Sequence, residues 1–293
     1  MRVKDLRVDF ISVLSEIYDD VEEVHSFFYI LSEKFLGLKR VDVAISLDMI
    51  VPAEVIHDFV QAQKLLQSHV PIQYVVGDTE FYGLPFIVNP AVLIPRPETE
   101  ELVDWIIKDY HTSRTGGLFK KEPLKILDIG TGSGCIAISL AKHLQNAQIF
   151  AMDISEKAIE VAKANAKLNN VDIRFVLSDI LNSDTLPDDF DIIVSNPPYV
   201  RDLEKKEIQP NVLDHEPHLA LFVSDTDPLI FYKKIAELAK DNLIANGILY
   251  FEINQYLGSD TQLMMEHKGF ESVQLRKDFY ANDRMMRATK RTI

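Results

Sequence analysis

From residue 124 onward, apolar runs of strand length alternate with helical patterns, and that rhythm constrains the fold more than any other feature of the chain. The runs at 124–129, 148–152, 172–177, 191–195 and 247–253 read as strands, with helical spacing at 134–144, 155–168 and 228–240 between them. Strands without a polar face that are joined through helices belong to right-handed βαβ units. The expected fold class is therefore α/β, with a parallel sheet covered on both faces. The tail differs, because 271–276 and 285–290 read as two further strands closing one edge as a hairpin.

The front of the chain has another texture. Leu6, Phe10, Val13, Leu14 and Ile17 recur at helical spacing, as do Val24, Phe27, Phe28, Leu31 and Phe35. Gly37 suits the C-terminal stop of the second helix, and Pro52 the first turn of another that carries Val55, Ile56, Phe59 and Val60. Short helices bury such stripes only against one another, so residues 1–75 are expected to form a small bundle. Residues 72–92 are rich in β-formers (Tyr74, Val75, Val76, Phe81, Tyr82, Phe86, Ile87, Val88) with Gly77 and Gly83. They read as a hairpin or extended connector, with 76–92 linking the bundle to a catalytic domain over 93–293. Pro97 can open the helix that continues through Leu102, Val103 and Ile106. The segment 202–218 has no clear period and reads as a loop over the site.

Composition serves mainly to exclude. With Cys135 as the single cysteine there is no intramolecular disulfide and no cysteine-based zinc site. No apolar run approaches the ~18 residues of a membrane span, and the N-terminus mixes charges early, so a cytoplasmic chain is expected. The formal net charge of −14, without a Lys/Arg-rich block, weighs against duplex nucleic acid, whose binding draws on phosphate neutralisation.

Four motifs carry chemistry. Leu127-Asp128-Ile129-Gly130-Thr131-Gly132-Ser133-Gly134 follows a strand and precedes a helix. Its alternating glycines let the backbone turn sharply and approach a ligand where open α/β sheets bind nucleotides. A dinucleotide fingerprint wants a glycine where Cys135 stands, so the loop suits a ligand with an amino-acid tail and no pyrophosphate. Asp153 ends the next strand, at the distance from which an acid accepts ribose hydroxyls; Ser155 is equally suited to cap the following helix. Asp179 and Ile180 lie just beyond the third strand, where the acid can receive an adenine amino group and Ile180 cover the ring. The bland alternative for Asp179 is a surface turn.

The fourth motif is Asn196-Pro197-Pro198-Tyr199, at the carboxyl end of the buried strand Phe190-Asp191-Ile192-Ile193-Val194-Ser195. The Asn196 side-chain oxygen and the carbonyl of Ser195 or Pro197 can accept two hydrogen bonds from one NH₂ group. The prolines are rigid and remove competing donors, and Tyr199 offers a face for a planar amide or base. Orientation and electron donation would both favour methylation of such a nitrogen. His215-Glu216-Pro217-His218 superficially suggests a metal pair, but Pro217 breaks the helix such a pair requires, so no metal site is read. Cys135 reads as a small buried apolar residue.

Together with Pro71-Ile72-Gln73-Tyr74, Glu80-Phe81-Tyr82-Gly83-Leu84, the run Leu93 to Glu100 and the run Val194 to Tyr199, these motifs resemble the PrmC/HemK family over essentially the whole chain. The resemblance implies an S-adenosylmethionine-dependent methyltransferase with the Rossmann-like class I sheet of seven mostly parallel strands. Its substrate would be the glutamine of the GGQ motif in peptide chain release factors, held in part by the N-terminal helical domain. By position, Gly130, Thr131, Gly132, Ser133 and Gly134 would enclose the methionine portion, with Asp153 on the ribose and Asp179 and Ile180 about the adenine. Asn196, Pro197, Pro198 and Tyr199 would grip the glutamine, with Asn196, Pro197 and Tyr199 serving catalysis. Thr99, in the junction Arg96 to Glu100, would lie near the methyl donor, and Glu216 matches a further family stretch on the substrate side. A monomer that binds neither membrane nor nucleic acid is expected.

The alternative is a nucleic-acid adenine-N6 amino-methyltransferase, which also presents a planar NH₂. The chain departs from the family at 222–229, where glycines are lost, and at Asn254 and Asn282, which replace expected glycines. Asn tolerates positive φ, so those two are expected to preserve backbone shape.

Overall fold

The structure, a computed structural model, describes residues 1–116 and 123–291. The chain divides into two compact units, Met1–Gly77 with Gln209–His215, and Asp78–Ile208 with Glu216–Ile293.

The first unit holds five helices from the front of the chain: α1 (Val3–Leu14), α2 (Val21–Leu36), α3 (Arg40–Ile45), α4 (Ala53–Gln67) and α5 (Ile72–Val76). Asp20 caps α2 by accepting from the Glu22 N–H, and Gly37 ends it in the left-handed region at φ 68°. Most of the predicted stripes meet, with Phe28 5.7 Å from Phe10 and 5.6 Å from Phe59 between ring centroids, but Ile17, beyond the end of α1, and Val60 on α4 are exposed. Residues 72–76 do not follow the strand expectation. Pro71 presets the backbone for a helical turn, Gly77 stops it at φ 79°, and one turn puts Ile72 and Val76 together in the helical core.

The second unit begins with an antiparallel hairpin, β1 (Asp78–Phe81) and β2 (Leu84–Ile87). Then come α6 (Pro97–Gly116), β3 (Leu124–Ile129), α7 (Cys135–His143), β4 (Ala147–Asp153), α8 (Glu156–Leu168), β5 (Ile173–Leu177) and β6 (Phe190–Ser195). Two short strands, β7 (Val200–Arg201) and β8 (Phe222–Val223), pair in parallel. Between them lie a 3₁₀ turn at Asp202–Glu207, α9 (Pro210–His215, part of the first unit) and α10 (His218–Leu221). The expected loop at 202–218 is thus mostly short helix, in pieces too brief for a period to register. The chain ends with α11 (Ile230–Asn242), β9 (Leu243–Glu252), α12 (Gly258–His267), β10 (Phe270–Lys277) and β11 (Asp283–Lys290).

Seven strands form one sheet in the order β10-β11-β9-β6-β3-β4-β5. The five from β9 to β5 run parallel, and β11 and β10 close the edge antiparallel, which is the sheet the resemblance implies. Every residue of β6 is buried, as a strand covered on both faces requires. One apolar layer holds Ile126, Ile136, Ile192 and Tyr250; the other holds Leu127, Ile193, Tyr232 and Phe251.

Candidate active site

Strand β3 has its sequence successor β4 on one side and β6 on the other. Connections leave it in opposite directions, so a crevice opens beyond the carboxyl ends of β3 and β6. The glycine loop leaves β3 there, and Asn196-Pro197-Pro198-Tyr199 leaves β6. The two ends are paired in register, Ile129 with Ser195, and the Ser195 hydroxyl donates to the Ile129 carbonyl at 2.7 Å. A cavity of about 300 Å³ lies against them, within the range of small-molecule sites.

Gly130, Gly132 and Gly134 all occupy the left-handed region, at φ 75°, 55° and 83°. At Gly134 the need is also steric, since a Cβ would lie 2.9 Å from Ile138 Cδ1 and 3.2 Å from Ala162 Cβ. Beneath the loop, Asp128 is fully buried and accepts from the Thr131 hydroxyl at 2.6 Å and the Ala137 N–H at 3.3 Å through Oδ2. Its Oδ1 has no hydrogen-bond partner among the described residues. Burial pushes the Asp128 carboxyl up to about 7, against the lowering effect of those two donors.

Asp153 closes β4 with both oxygens on backbone N–H groups, Oδ2 on Gly132 at 2.9 Å and Oδ1 on Ser155 at 2.9 Å. Ser155 itself caps α8 by accepting from Ala158. The acid therefore braces the glycine loop and still lines the cavity. Burial raises its carboxyl above the usual range, opposed by the backbone donors. Asp179 caps the short turn Ile180–Asn182 through Leu181 N–H at 2.9 Å and accepts from Asn182 Nδ2 at 2.6 Å, so the plain turn reading holds in part. Both Asp179 and Ile180 nevertheless line the cavity, together with Thr99, Asn196, Pro197 and Pro198.

Two predicted residues stand differently. Tyr199 is absent from the lining of this cavity; its ring packs in the layer of Tyr232 and Phe251, and its hydroxyl donates inward to Glu252 Oε1 at 3.1 Å. Burial, then the Glu252 charge, raises its phenol. Glu216 is buried and also absent from the lining. Its carboxylate accepts from the Ile94 N–H at 3.2 Å and the Arg96 guanidinium at 2.6 Å, so what it touches is the 93–100 junction. Cys135 is only partly covered and lines the cavity, against the expectation of a buried apolar residue, although burial of its sulfur pushes the thiol up to about 12.

Glu252 is assigned no role by the motifs, yet it organises what lies behind Asn196. Thr99 Oγ1 donates to Glu252 Oε2 at 2.6 Å, and Asn196 Nδ2 donates to Thr99 Oγ1 at 3.3 Å. Glu252 is 1 % exposed, and its only sequence signal is a carboxylate closing the otherwise apolar end of β9. Burial raises its pKa, offset by the Thr99 bond and the Arg284 charge.

Asn254 is a second surprise. It is not among the positive-φ residues, nor is Asn282; Ala281 takes that conformation instead, at φ 64°. Asn254 Nδ2 donates to the Tyr199 carbonyl at 2.9 Å and to the buried Glu204 at 2.9 Å, so it works through its side chain and not through backbone shape. At 222–229 no residue has positive φ; Ser224 and Thr226 build the turn through their hydroxyls.

A family model described as "Methyltransferase small domain" matches residues 117–218. The release factor glutamine methyltransferase of Flavobacterium psychrophilum is 54% identical over 99% of this chain and 100% of its own length. That of Bacteroides thetaiotaomicron is 44% identical over 94% of this chain and 96% of its own length. Among solved structures, a 16S rRNA methyltransferase from T. Thermophilus, in complex with AdoMet and guanosine, superposes with a TM-score of 0.52 at 19% identity, covering 73% of this chain and 50% of that one. This last likeness concerns the fold alone.

Proposed function

The chain belongs to the release factor glutamine methyltransferase family, and on that premise we propose that Asn196-Pro197-Pro198-Tyr199 presents the side-chain amide of a GGQ-motif glutamine to S-adenosylmethionine. The observation that carries this reading is the shared crevice: the glycine loop and Asn196, Pro197 and Pro198 line one cavity at the switch point of the sheet. S-adenosylmethionine, when bound, supplies an electrophilic methyl on a sulfonium.

The residues present fit that donor. Its charge is positive, and Asp153 and Asp179 in the lining, with Asp128 buried beneath the loop, are carboxylates that no cationic side chain contacts by a hydrogen bond among the described residues. The buried Asp128 Oδ1 without a partner supports the same assignment, since a nearby cation favours the ionised carboxylate. Gly130 to Gly134 would enclose the methionine portion, Asp153 would hold the ribose, and Asp179 and Ile180 would flank the adenine. Thr99, which touches both Asn196 and Glu252, would lie beside the methyl donor.

The Asn196 Oδ1 and the Pro197 carbonyl would accept the two amide hydrogens, which turns the nitrogen toward the donor and feeds electron density into it as positive charge develops. Pro197 and Pro198 carry no N–H that could compete for these acceptors. After transfer the surplus proton leaves the nitrogen to water. Tyr199 acts through its hydroxyl on Glu252, and Glu216 acts on the substrate side through Arg96. The helical unit would help hold the release factor, and the enzyme would work in the cytoplasm as a monomer, without a metal ion and without binding nucleic acid.

Incubation with labelled S-adenosylmethionine and either release factors or methylation-deficient DNA tests the reading: label is expected in the GGQ tryptic peptide, and label in the DNA instead would overturn it. Asn196→Ala is expected to lower turnover by roughly 10²–10³ while S-adenosylhomocysteine binding stays nearly intact. Equal losses in both would remove the orienting role.

A further inference from the structure

Which end of the Asn196 carboxamide meets the substrate decides whether the site accepts an NH₂ group or repels it. An asparagine oxygen and nitrogen are nearly isosteric, so their placement is dictated by hydrogen-bonding neighbours. The neighbour here is Thr99, whose hydroxyl has one hydrogen. That hydrogen goes to Glu252 Oε2 at 2.6 Å, which leaves the Thr99 oxygen able only to accept, and Asn196 must turn its Nδ2 toward it at 3.3 Å. The Asn196 oxygen then lies at the other end of the group. Glu252 is thus two bonds removed from the carboxamide it orients, and Glu252 itself does not line the cavity. Its second oxygen takes the Tyr199 hydroxyl at 3.1 Å, so one carboxylate ties both ends of the four-residue turn. Strand β9 supplies this carboxylate beside β6, where Ser195 pairs with Phe251.

We propose that Glu252 is a positioning residue for methyl transfer: by taking the only hydrogen of Thr99, it fixes Asn196 with its oxygen toward the substrate amide. This rests on the glutamine-methylating function proposed above. A carboxylate accepts from both hydroxyls at once, whereas the isosteric glutamine brings an NH₂ that must turn one of them round. Where Thr99 turns, its hydrogen passes to Asn196 and the carboxamide flips, setting NH₂ against NH₂.

A double-mutant cycle on Glu252→Gln and Thr99→Val, with Thr99→Ser as the conservative variant, separates this from plain stabilisation. The readouts are kcat and KM for the release factor and the Kd for S-adenosylhomocysteine. Glu252→Gln is expected to lower kcat about tenfold and Thr99→Val about 10- to 100-fold, with the Kd changed less than about threefold, while Thr99→Ser stays within about threefold of the wild type in kcat. Combined with Thr99→Val, Glu252→Gln is expected to add little further loss. Unaltered kcat in Glu252→Gln, full additivity, or losses in Kd matching those in kcat would each overturn the proposal. If Glu252→Gln does not fold, the contrast between Thr99→Val and Thr99→Ser decides it. A wild-type protein that puts no methyl on release-factor glutamine would instead remove the functional premise.

Discussion

Cys135 shows how far a side chain's surroundings can override its type. It lines the cavity, yet burial of its sulfur and the Asp128 charge push the thiol up to about 12. The thiolate is the reactive form, so alkylation by iodoacetamide at pH 8 is expected to run roughly 10²–10³ slower than for a free thiol. Mass spectrometry of the Cys135 peptide over time measures it, and a rate near that of glutathione would contradict the assignment. The acids at the ends of β4 and β5 show what was legible one residue at a time. Asp153 and Asp179 were visible because a carboxylate at a strand's carboxyl end is a strong pattern. That Asp153 also holds the N–H groups of Gly132 in the glycine loop and of Ser155, and Asp179 the Leu181 N–H of its own turn, was not, because a cap and a ligand contact ask for the same side chain. Asn254 departs from its expectation for a related reason: the sequence suggests a backbone preference, whereas the folded chain uses the carboxamide to hold the Tyr199 carbonyl.

At the scale of elements, the Asn165 side chain ties the hairpin β1–β2 to the glycine loop. Asn165 on α8 is fully buried; its Oδ1 accepts from the Ile87 N–H at 2.6 Å, and its Nδ2 donates to the Ile87 and Ser133 carbonyls, each at 2.9 Å. Truncation takes this partner from three backbone groups, the Ser133 carbonyl in a buried bond and the N–H and carbonyl of the exposed Ile87 in part-buried ones, each costing about 1–3 kcal/mol where water cannot enter. Asn165→Ala is therefore expected to destabilise the second unit by about 3 kcal/mol, read from the urea midpoint. It should also weaken S-adenosylhomocysteine binding, because Ser133 belongs to the glycine loop. A loss below about 0.5 kcal/mol would show that water replaces the amide. Sequence periodicity located α8 and β2 well enough, but it is blind to a polar residue that stitches two elements together. The same blindness hid the short helices of 202–218, which are shorter than the window a period needs.

At the scale of the molecule, each unit has its own apolar core, and the single tryptophan, Trp105, lies in that of the second, 5.8 Å from Tyr250 between ring centroids. Its fluorescence therefore reports the unit that carries the site. S-adenosylhomocysteine at a hundred times its Kd is expected to stabilise that unit by about 2.7 kcal/mol, seen as a later urea midpoint by Trp105 emission. An unmoved midpoint would mean that the ligand does not select the folded crevice. The alternation of strand and helix, the paired prolines after Asn196 and the spacing of three glycines were enough to indicate a parallel α/β sheet, a closing hairpin and candidate site residues at strand ends, whereas the seven strands followed only from the family resemblance. The former are matters of local pattern, since period and turn chemistry are written in neighbouring residues. Tertiary structure alone decided that Glu252, 153 positions beyond Thr99, stands behind Asn196 and that Tyr199 turns its hydroxyl away from the cavity. Contacts across such distances depend on which strands lie side by side, and no local pattern encodes that.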